Sequence, residues 1–470
     1  MPFGADRRPP FLPRLRMTAP ALTAAPAAPA APAAPAAPAP LAADAFFVAT
    51  AAPLLDRYCG VRGLSRHLAD GLAPEDCVVQ TMEDVSPTKW HLAHTTWFWE
   101  TFVLAEHAPG YRAFHPRYAY LFNSYYVQAG ERHCRDRRGY LSRPTVAEVL
   151  DYRAHVDAAM ERLLGDDARA ESIRELLEVG LHHEQQHQEL MLTDLKHVFA
   201  VNPLRPVYRD AAPLAPGDAV ALAWIGVAGG IHEVGHDGDG FSFDNEGPRH
   251  RVLVPDFEIA SRLVTCGEWL GFIADGGYRR PELWLSLGWA EVQAKALAEP
   301  FYWEPAADAG GDGARANRQI TTLSGVGDLD PDAPVCHVSY FEADAFARWV
   351  GARLPTEFEW ETAAATVPVD GHFVEGGHLH PVPARGAAGD LVQMYGDVWQ
   401  WTRSSYDPYP GYAPAPGALG EYNGKFMCGQ YVLRGASCAT SRSHARRTYR
   451  NFFPPGAAWQ FTGLRLARDV

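Results

Sequence analysis

Apolar side chains recur at helical spacing in the segment SPTKWHLAHTTWFWETFVLAEH, which begins at Ser86. Trp90, Ala93 and Trp97 lie three or four positions apart, which is the spacing of one face of an α-helix. Ser86 is a residue type that caps helix N-termini, and Pro87 suits the first helical position. The pattern therefore predicts a helix that begins at this serine–proline pair.

Three further segments complete a predicted bundle. An apolar stripe from Val146 to Met160 follows Thr145, which is the expected N-cap. A third helix is expected from about Glu171 to Phe199, and a further one at about residues 45–70. Four such helices favour a four-helix bundle.

The pattern changes beyond residue 205. Glycine, proline and short aromatic or β-branched runs dominate from about residue 220 to the end, with helices expected at about 340–350 and 357–365. The predicted fold class is α+β. We divide the chain into an Ala/Pro-rich tail over 1–44, a helical domain over 45–205 and a second domain over 206–470. The tail has few bulky side chains to bury, so we expect it to be disordered.

Composition narrows the class of protein. Hydrophobic residues fill 47% of the 470 positions, as in globular proteins, and no apolar run reaches the roughly 18 residues of a transmembrane helix. The net charge of −14 argues against nucleic acid or an anionic membrane as the main partner. The seven cysteines are scattered without a CxxC pair, which indicates a reducing, cytoplasmic setting.

The candidate chemistry lies in GLHHEQQHQELMLTDLKH, residues 180–197. His183 and His187 are four positions apart, so both side chains project from one helix face and are able to bind one metal ion. A solvated polar helix is the plain alternative, because glutamine and glutamate surround the pair. Residues 183–187 also match HExxH, which would make Glu184 the general base of a zinc hydrolase.

A catalytic metal normally takes three protein ligands, so a third histidine is expected. The segment KWHLAHTTW offers His91 and His94. His94 has Trp90 and Trp97 within one turn, which makes it the better candidate for a side chain that points inward. His91 has the weaker case, because an exposed or capped side chain fits its position equally well.

Five ordered motifs in the second part resemble those of the formylglycine-generating-enzyme (sulfatase-modifying-factor) fold, which is C-type-lectin-like. They are FDNEGPRHRVLVPDFEIASRLVTCGEWLGFI, CHVSYFEADAFARWVGARLPTEFEWETAA, YGDVWQWT, VLRGAS and TGLRLA. The helical part, with LAH and HEQQHQE, resembles the DinB-like fold. The fusion of the two resembles the ergothioneine-pathway sulfoxide synthases, which are non-haem iron(II) enzymes also called hercynine oxygenases.

This resemblance implies a metal site and a reaction. The family's HxxxHxE motif supplies two iron ligands, matching His183 and His187, with Glu189 at the third motif position; the LAH histidine, His94, supplies the third ligand. The implied cofactor is Fe(II). The implied reaction uses O2 to join the sulfur of a cysteine-type thiol to imidazole C2 of hercynine (Nα-trimethylhistidine), which gives a sulfoxide. Three imidazoles alone suit zinc equally well.

The resemblance also implies contacts to hercynine. Gln186 corresponds to a glutamine that hydrogen-bonds the substrate imidazole, and Asn451, Phe452 and Phe453 correspond to the asparagine and aromatic residues that contact the trimethylated amine. A quaternary ammonium group has no hydrogen to donate, so an aromatic face is its natural partner. Core packing is the plain alternative for both phenylalanines.

Related enzymes that use free cysteine carry their acid tyrosine in a stretch that resembles LFNSYYVQAGERH. Tyr125 and Tyr126 are therefore the candidate proton donors, and at least one of the two is expected to be a packed aromatic.

The expected thiol substrate follows from two positions at which this sequence departs from family members that use γ-glutamylcysteine. Members that use γ-glutamylcysteine carry an aspartate where Phe453 stands, and an arginine shortly beyond, so free cysteine is the expected thiol. One arginine of the loop ERHCRDRRGYLSRP is expected to bind its carboxylate, and the candidates are Arg132, Arg135 and Arg138.

Other functions stay open at the level of sequence. A formylglycine-generating enzyme needs two closely spaced cysteines, whereas RGASCATSRSHARR holds only Cys438. An ovothiol synthase normally adds a methyltransferase domain, which is not expected here. A relative that couples a selenosugar to hercynine is a further alternative. A ligand-binding module without catalysis is the last one, and three intact histidines argue against it.

Overall fold

The computed structural model describes residues 39–212, 214, 220–305, 318–387 and 389–470, and Ala37–Val470 form one compact unit. The predicted tail lies outside the described residues as far as residue 38. The α-helices are α1 (Leu54–Ala69), α2 (Thr88–Phe98, continued by a π-helix over Trp99–Leu104), α3 (Ala105–His107), α4 (Tyr118–Phe122), α5 (Val146–Leu164), α6 (Asp167–Ser172), α7 (Arg174–Val201), α8 (Cys266–Ala274), α9 (Ser286–Lys295), α10 (Tyr340–Trp349) and α11 (Glu357–Ala363).

The predicted four-helix bundle is formed by α1, α2, α5 and α7, which pack against one another. Helix α5 begins where predicted, because Thr145 and Glu148 form a capping box. Helix α1 is shorter than predicted: residues 43–46 form a separate 3-10 turn, and Pro53 is the N-cap. Among the described helices none is both long and apolar enough to cross a membrane.

The prediction that Ser86 caps α2 is wrong. The helix begins at Thr88, and Pro87 occupies the N-cap position without a side-chain cap. The Ser86 hydroxyl instead accepts a hydrogen bond from Arg138 Nη1 at 2.9 Å, and its backbone N–H donates to Asp194 Oδ2 at 2.8 Å. The serine therefore ties the start of α2 to α7 and to the arginine-rich loop.

The second part is built from short strands. They are β1 (Trp224–Val227), β2 (Gly230–Val234), β3 (His250–Val254), β4 (Phe257–Ala260), β5 (Trp303–Pro305), β6 (Arg318–Thr322), β7 (Gly325–Asp328), β8 (Gly371–His372), β9 (Tyr395–Gly396), β10 (Trp399–Ser405), β11 (Tyr431–Arg434), β12 (Asn451–Phe453), β13 (Thr462–Gly463) and β14 (Ala467–Asp469). The largest described sheet has the order β12-β11-β10-β13, and smaller sheets have the orders β1-β4-β14 and β5-β6-β7. Two-stranded sheets β2-β3 and β8-β9 complete an α+β fold, as predicted.

Helices α10 and α11 confirm the two helices predicted in this part, and α8 and α9 were not predicted. Helix α8 begins at a capping box between Thr265 and Glu268, so its start signal was present in the sequence. Helix α9 has no side-chain cap, because Leu285 is its N-cap residue.

Helix α7 is the element that joins the bundle to the second part. The buried carboxylate of Glu189 accepts hydrogen bonds from Trp399 Nε1 at 2.8 Å, Ser437 Oγ at 2.5 Å and Thr440 Oγ1 at 2.7 Å. The two histidines of the HxxxH motif precede Glu189 on α7, by six and two positions. The seam between bundle and sheet is therefore where the candidate site lies.

Candidate metal centre and active site

Three imidazoles converge at this seam. His94 projects from α2, and His183 and His187 project from α7; one ring nitrogen of each lies within 4.8 Å of the other two. The Nε2 atoms of His94 and His183 are 3.2 Å apart. The structure therefore brings together the three histidines named from the sequence.

The tautomer of His94 follows from its other nitrogen. Its Nδ1 lies 2.6 Å from the carbonyl oxygen of Phe122, and since a carbonyl only accepts, Nδ1 carries the proton. The lone pair on Nε2 therefore faces His183. Burial lowers the pKa of His94 well below its ordinary value, with the neighbouring His183 as a further cause, so the ring is neutral.

His187 is oriented by His91, which the sequence made the weaker candidate for the third metal ligand. His91 is buried, and its Nε2 donates to Asp194 Oδ2 at 2.9 Å. That leaves a lone pair on His91 Nδ1, which lies 2.9 Å from His187 Nδ1. His187 therefore carries its proton on Nδ1, which leaves the lone pair of Nε2 available to a metal ion.

The triad fits a divalent metal ion. Burial lowers the pKa of His183 to about 3 and that of His187 well below its ordinary value, so the histidines offer lone pairs rather than charge. His183 Nδ1 is buried and has no hydrogen-bond partner in the described part of the chain. The Nε2 lone pair of His94 faces His183 Nε2 at 3.2 Å, and neutral imidazoles are ligands for Fe(II) and Zn(II) alike.

Glu184 does not face the triad, which removes the HExxH hypothesis. Its carboxylate accepts hydrogen bonds from Arg62 at 3.0 Å, Arg153 at 3.2 Å, Ser65 at 2.7 Å and Trp99 at 2.9 Å, all inside the bundle. The two arginines hold the pKa of Glu184 at about 2 although burial acts to raise it. A carboxylate surrounded in this way stabilises the bundle and has no position from which to activate a metal-bound water.

Gln186 is held on both sides by tyrosines from the second part. Tyr422 Oη donates to Gln186 Oε1, and Gln186 Nε2 donates to Tyr449 Oη at 2.5 Å. The Tyr422 ring also meets that of His183 edge-on, with centroids 5.8 Å apart. Sequence reasoning missed both tyrosines, because they lie 236 and 263 positions away from Gln186 and only the tertiary fold brings them to it.

A cavity of about 380 Å³ opens from the triad. His183, His187 and Gln186 form one part of its wall. The predicted substrate residues on β12, namely Asn451, Phe452 and Phe453, form another part together with Trp399, Tyr422, Phe426, Tyr449 and Trp459. Pairing of β12 with β11 brings these three residues to the cavity.

The two candidate tyrosines differ in position. Tyr125 lines the cavity. Tyr126 is fully buried, and its ring contacts Trp97 and Phe102 rather than the cavity wall. The rings of Tyr125 and Tyr126 stack with centroids 4.7 Å apart, so one of the pair is a packed aromatic, as expected.

The three candidate arginines all line the cavity, in different states. Arg135 is exposed and lies 3.4 Å from the carboxylate of Asp84. Arg138 is buried, and its guanidinium carbon lies 3.4 Å from the centroid of the Trp90 ring. Among the described residues Arg138 forms no ion pair, and burial lowers its pKa to about 9. It is a desolvated cation without a direct ion pair to any described residue, although the charge of Asp194 acts to raise its pKa.

No cysteine side chain of the described residues takes part in this site. The cysteines of the described chain are free, and none lines the cavity. Cys438 is buried, and burial raises the pKa of its thiol well above the ordinary value.

Comparisons with known proteins agree with this architecture. Residues 215–387 and 377–470 match the sulfatase-modifying factor enzyme 1-like domain, and residues 59–191 match the DinB superfamily. A hercynine oxygenase of Mycolicibacterium smegmatis is 34% identical over 422 residues, which cover 82% of this chain and 92% of the relative. This chain belongs to the hercynine oxygenase family.

Other hercynine oxygenases give the same result. That of Mycobacterium tuberculosis is 35% identical over 410 residues, which cover 82% of this chain and 92% of the relative. A formylglycine-generating enzyme of Streptomyces coelicolor is 28% identical over 307 residues and matches 55% of this chain. Family membership confirms the predicted resemblance, and it makes the protein an oxidoreductase of ergothioneine biosynthesis.

Proposed function

We propose that this enzyme joins the sulfur of free cysteine to imidazole C2 of hercynine with Fe(II) and O2, giving S-(hercyn-2-yl)-cysteine sulfoxide. Forming the C–S bond removes two electrons, and oxidising the sulfur to the sulfoxide removes two more. One oxygen atom of O2 enters the product. The other leaves as water with the thiol proton and the C2 proton, so atoms and electrons balance.

The convergence of His94, His183 and His187 is the observation that carries this proposal. Three neutral ligands on two helices of the bundle leave part of a metal's coordination shell open toward the cavity. Fe(II) bound there would supply the redox chemistry and would favour the thiolate form of the substrate. Zinc would fit the same ligands but has no redox chemistry.

Gln186 and β12 are the proposed hercynine site. The Gln186 amide lies beside the triad and would hydrogen-bond the imidazole, which places C2 near the metal. Asn451 is half-buried at the cavity wall, on the same strand as Phe452 and Phe453. The two aromatic rings offer faces to the trimethylammonium group, which needs cation–π contact rather than a hydrogen bond.

Arg138 is the proposed anchor for the cysteine carboxylate. A buried guanidinium without an ion-pair partner gains most from a carboxylate that enters the cavity. Arg135 is the second candidate, although its contact with Asp84 already neutralises part of its charge. Phe453 offers no charge to the γ-glutamyl group of a longer thiol, which supports free cysteine.

Tyr125 is the proposed proton donor. Its hydroxyl belongs to a side chain on the cavity wall, and burial raises the pKa of Tyr125 above its ordinary value, so the phenol keeps its proton until an oxygen base requires it. Tyr126 supports the ring of Tyr125 by stacking. We place the reaction in the cytoplasm, since free cysteines at seven positions suit a reducing compartment.

A competition between thiols tests the proposal. Fe(II)-loaded protein, prepared without oxygen, is given hercynine, O2 and equal concentrations of cysteine and γ-glutamylcysteine, and the products are identified by mass spectrometry. The His183→Ala variant serves as the control that lacks one ligand. We expect the cysteine sulfoxide from the wild type and none from the control. A product formed only from γ-glutamylcysteine would overturn the thiol assignment, and no adduct with either thiol would overturn the proposed reaction.

A further inference from the structure

A chain of hydrogen bonds leaves the active-site cavity through Gln186. Tyr422 Oη donates to Gln186 Oε1, and Gln186 Nε2 donates to Tyr449 Oη at 2.5 Å. Tyr449 Oη lies 3.2 Å from His444 Nε2, and His444 Nδ1 lies 2.8 Å from His182 Nδ1. Five side chains from three separate segments are thus linked end to end.

The chain ends at a second cavity, which His182 lines one helical turn before Gln186. This cavity has a volume of about 490 Å³, and the ring of His182 stacks on Phe241 with centroids 4.0 Å apart. His182, His444 and Tyr449 each expose 5% or less of their surface. Buried polar groups of this kind are costly unless every donor finds an acceptor, so the proton positions along the chain are strongly coupled.

The direction in which each group donates its hydrogen bond follows from the orientation of the Gln186 amide. An amide nitrogen only donates, so Tyr449 Oη accepts from Gln186. The hydroxyl proton of Tyr449 then has His444 Nε2 as its acceptor among the described residues. A neutral His444 with a lone pair on Nε2 carries its proton on Nδ1 and donates to His182.

The opposite orientation of the amide would reverse every donor in the chain. Gln186 would then donate to Tyr422 and accept from Tyr449, and His444 would carry its proton on Nε2. The tautomer of His444 and the orientation of the Gln186 amide are therefore coupled, and the Tyr449 hydroxyl between them transmits the coupling.

We propose that His444 is a positioning residue that acts through Tyr449 to fix the orientation of the Gln186 amide. With Oε1 engaged by Tyr422 and one N–H by Tyr449, a single N–H of Gln186 is left for the cavity. That donor suits an imidazole nitrogen that carries a lone pair, so the chain selects how the substrate ring is presented. This inference rests on the proposed function, because it takes the hercynine imidazole as the partner of Gln186.

Two variants of His444 separate positioning from packing. His444→Phe keeps a ring but removes the acceptor, whereas His444→Gln keeps an acceptor oxygen at comparable reach. We expect H444F to lower kcat/KM for hercynine about tenfold, the loss that follows from one hydrogen bond, and to leave KM for cysteine unchanged. H444Q should recover most of the loss. Equal loss in both variants, or a parallel rise in the cysteine KM, would contradict the proposal.

A double-mutant cycle tests whether His444 acts through Tyr449. Tyr449→Phe should produce a loss similar to that of H444F, and the double variant H444F/Y449F should be no worse than Y449F alone. Additive losses would show that the two residues act independently and would overturn the positioning role.

A measurement without turnover separates this inference from the proposed reaction. Zinc-loaded protein labelled with ¹⁵N-histidine reports the protonation of each ring nitrogen, and the signal lost in H444Q identifies His444. We expect a protonated Nδ1 and an unprotonated Nε2; a protonated Nε2 would overturn the inference. If the tautomer is as expected and the iron enzyme forms no sulfoxide, the proposed function fails while the orientation of the chain stands.

Discussion

His91 Nδ1 lies 2.9 Å from Nδ1 of His187, one of the three proposed metal ligands. Behind His91 the carboxylate of Asp194 accepts the Nε2 proton and also the backbone N–H of Ser86. Asp194 therefore sets the tautomer of His91, and His91 sets that of His187. Outer partners of this kind tune the basicity and orientation of a ligand.

Replacing Asp194 by asparagine should weaken metal binding. Both donors contact the same oxygen, Oδ2, so Asp194→Asn keeps an acceptor but removes the negative charge that holds the His91 proton on Nε2. We expect the affinity for Fe(II) to fall about 10- to 100-fold, as measured anaerobically by competition with a chelator. Asp84→Asn is the matched control, because Asp84 is an exposed carboxylate that pairs with Arg135. Unchanged affinity in D194N would contradict this account of His91.

Glu184 should matter for stability rather than for chemistry. Glu184→Gln removes the negative charge that pairs with the buried guanidinium groups of Arg62 and Arg153. We therefore expect the free energy of unfolding to fall by about 3–5 kcal/mol in urea titrations. Glu171→Gln, which breaks an exposed pair with Arg174, should leave it nearly unchanged. A stable E184Q protein that had lost all turnover would revive a role for Glu184 as a base.

The pH dependence of this stabilisation has a defined sign. The pKa of Glu184 is about 2 in the folded protein, below the value of about 4.3 expected for an unfolded chain. Its contribution is therefore fully present above about pH 5 and is lost as the pH falls toward 2. The difference in unfolding free energy between wild type and E184Q should shrink over that range. A difference that grew on acidification would contradict the assignment.

Apolar residues at helical spacing were sufficient to predict the bundle, and the HxxxH spacing placed His183 and His187 on one helix face. The resemblance to a known family implied His94 as the third ligand. The same reasoning could not find Tyr422, Tyr449 or His444. They lie in loops and short turns whose approach to α7 depends on the tertiary fold. His91 was underrated for a related reason: its buried partner Asp194 lies 103 positions away.

Arg138 and Arg135 should respond differently to loss of charge. We expect Arg138→Gln to raise KM for cysteine about 10- to 100-fold, because a charge-assisted hydrogen bond in a desolvated site is lost. Arg135→Gln should change KM less than about threefold, since Arg135 is exposed and already faces Asp84. Steady-state kinetics with hercynine saturating would measure both. The reverse order of effects would transfer the anchoring role to Arg135.

Tyr125 and Tyr126 form a matched pair for the proton donor. Tyr125→Phe should lower kcat about 100-fold, within the range of general acid catalysis, with little change in either KM. Tyr126→Phe removes a hydroxyl that does not line the cavity and should leave kcat within about threefold of wild type. If only Y126F lost activity, the phenol that serves as donor would be Tyr126. If both variants stayed active, the tyrosine pair would be excluded and Tyr422 would be the next phenol to test.

The central claim is that iron at His94, His183 and His187 uses O2 to make the sulfoxide. The most direct measurement gives Fe(II)-loaded protein hercynine, cysteine and ¹⁸O2, with zinc-loaded protein as the control, and determines the mass of the product. We predict one ¹⁸O atom in a cysteine–hercynine sulfoxide from the iron protein and no product from the zinc protein. A sulfoxide without label, an equal yield from the zinc protein, or no adduct despite bound iron would contradict the account.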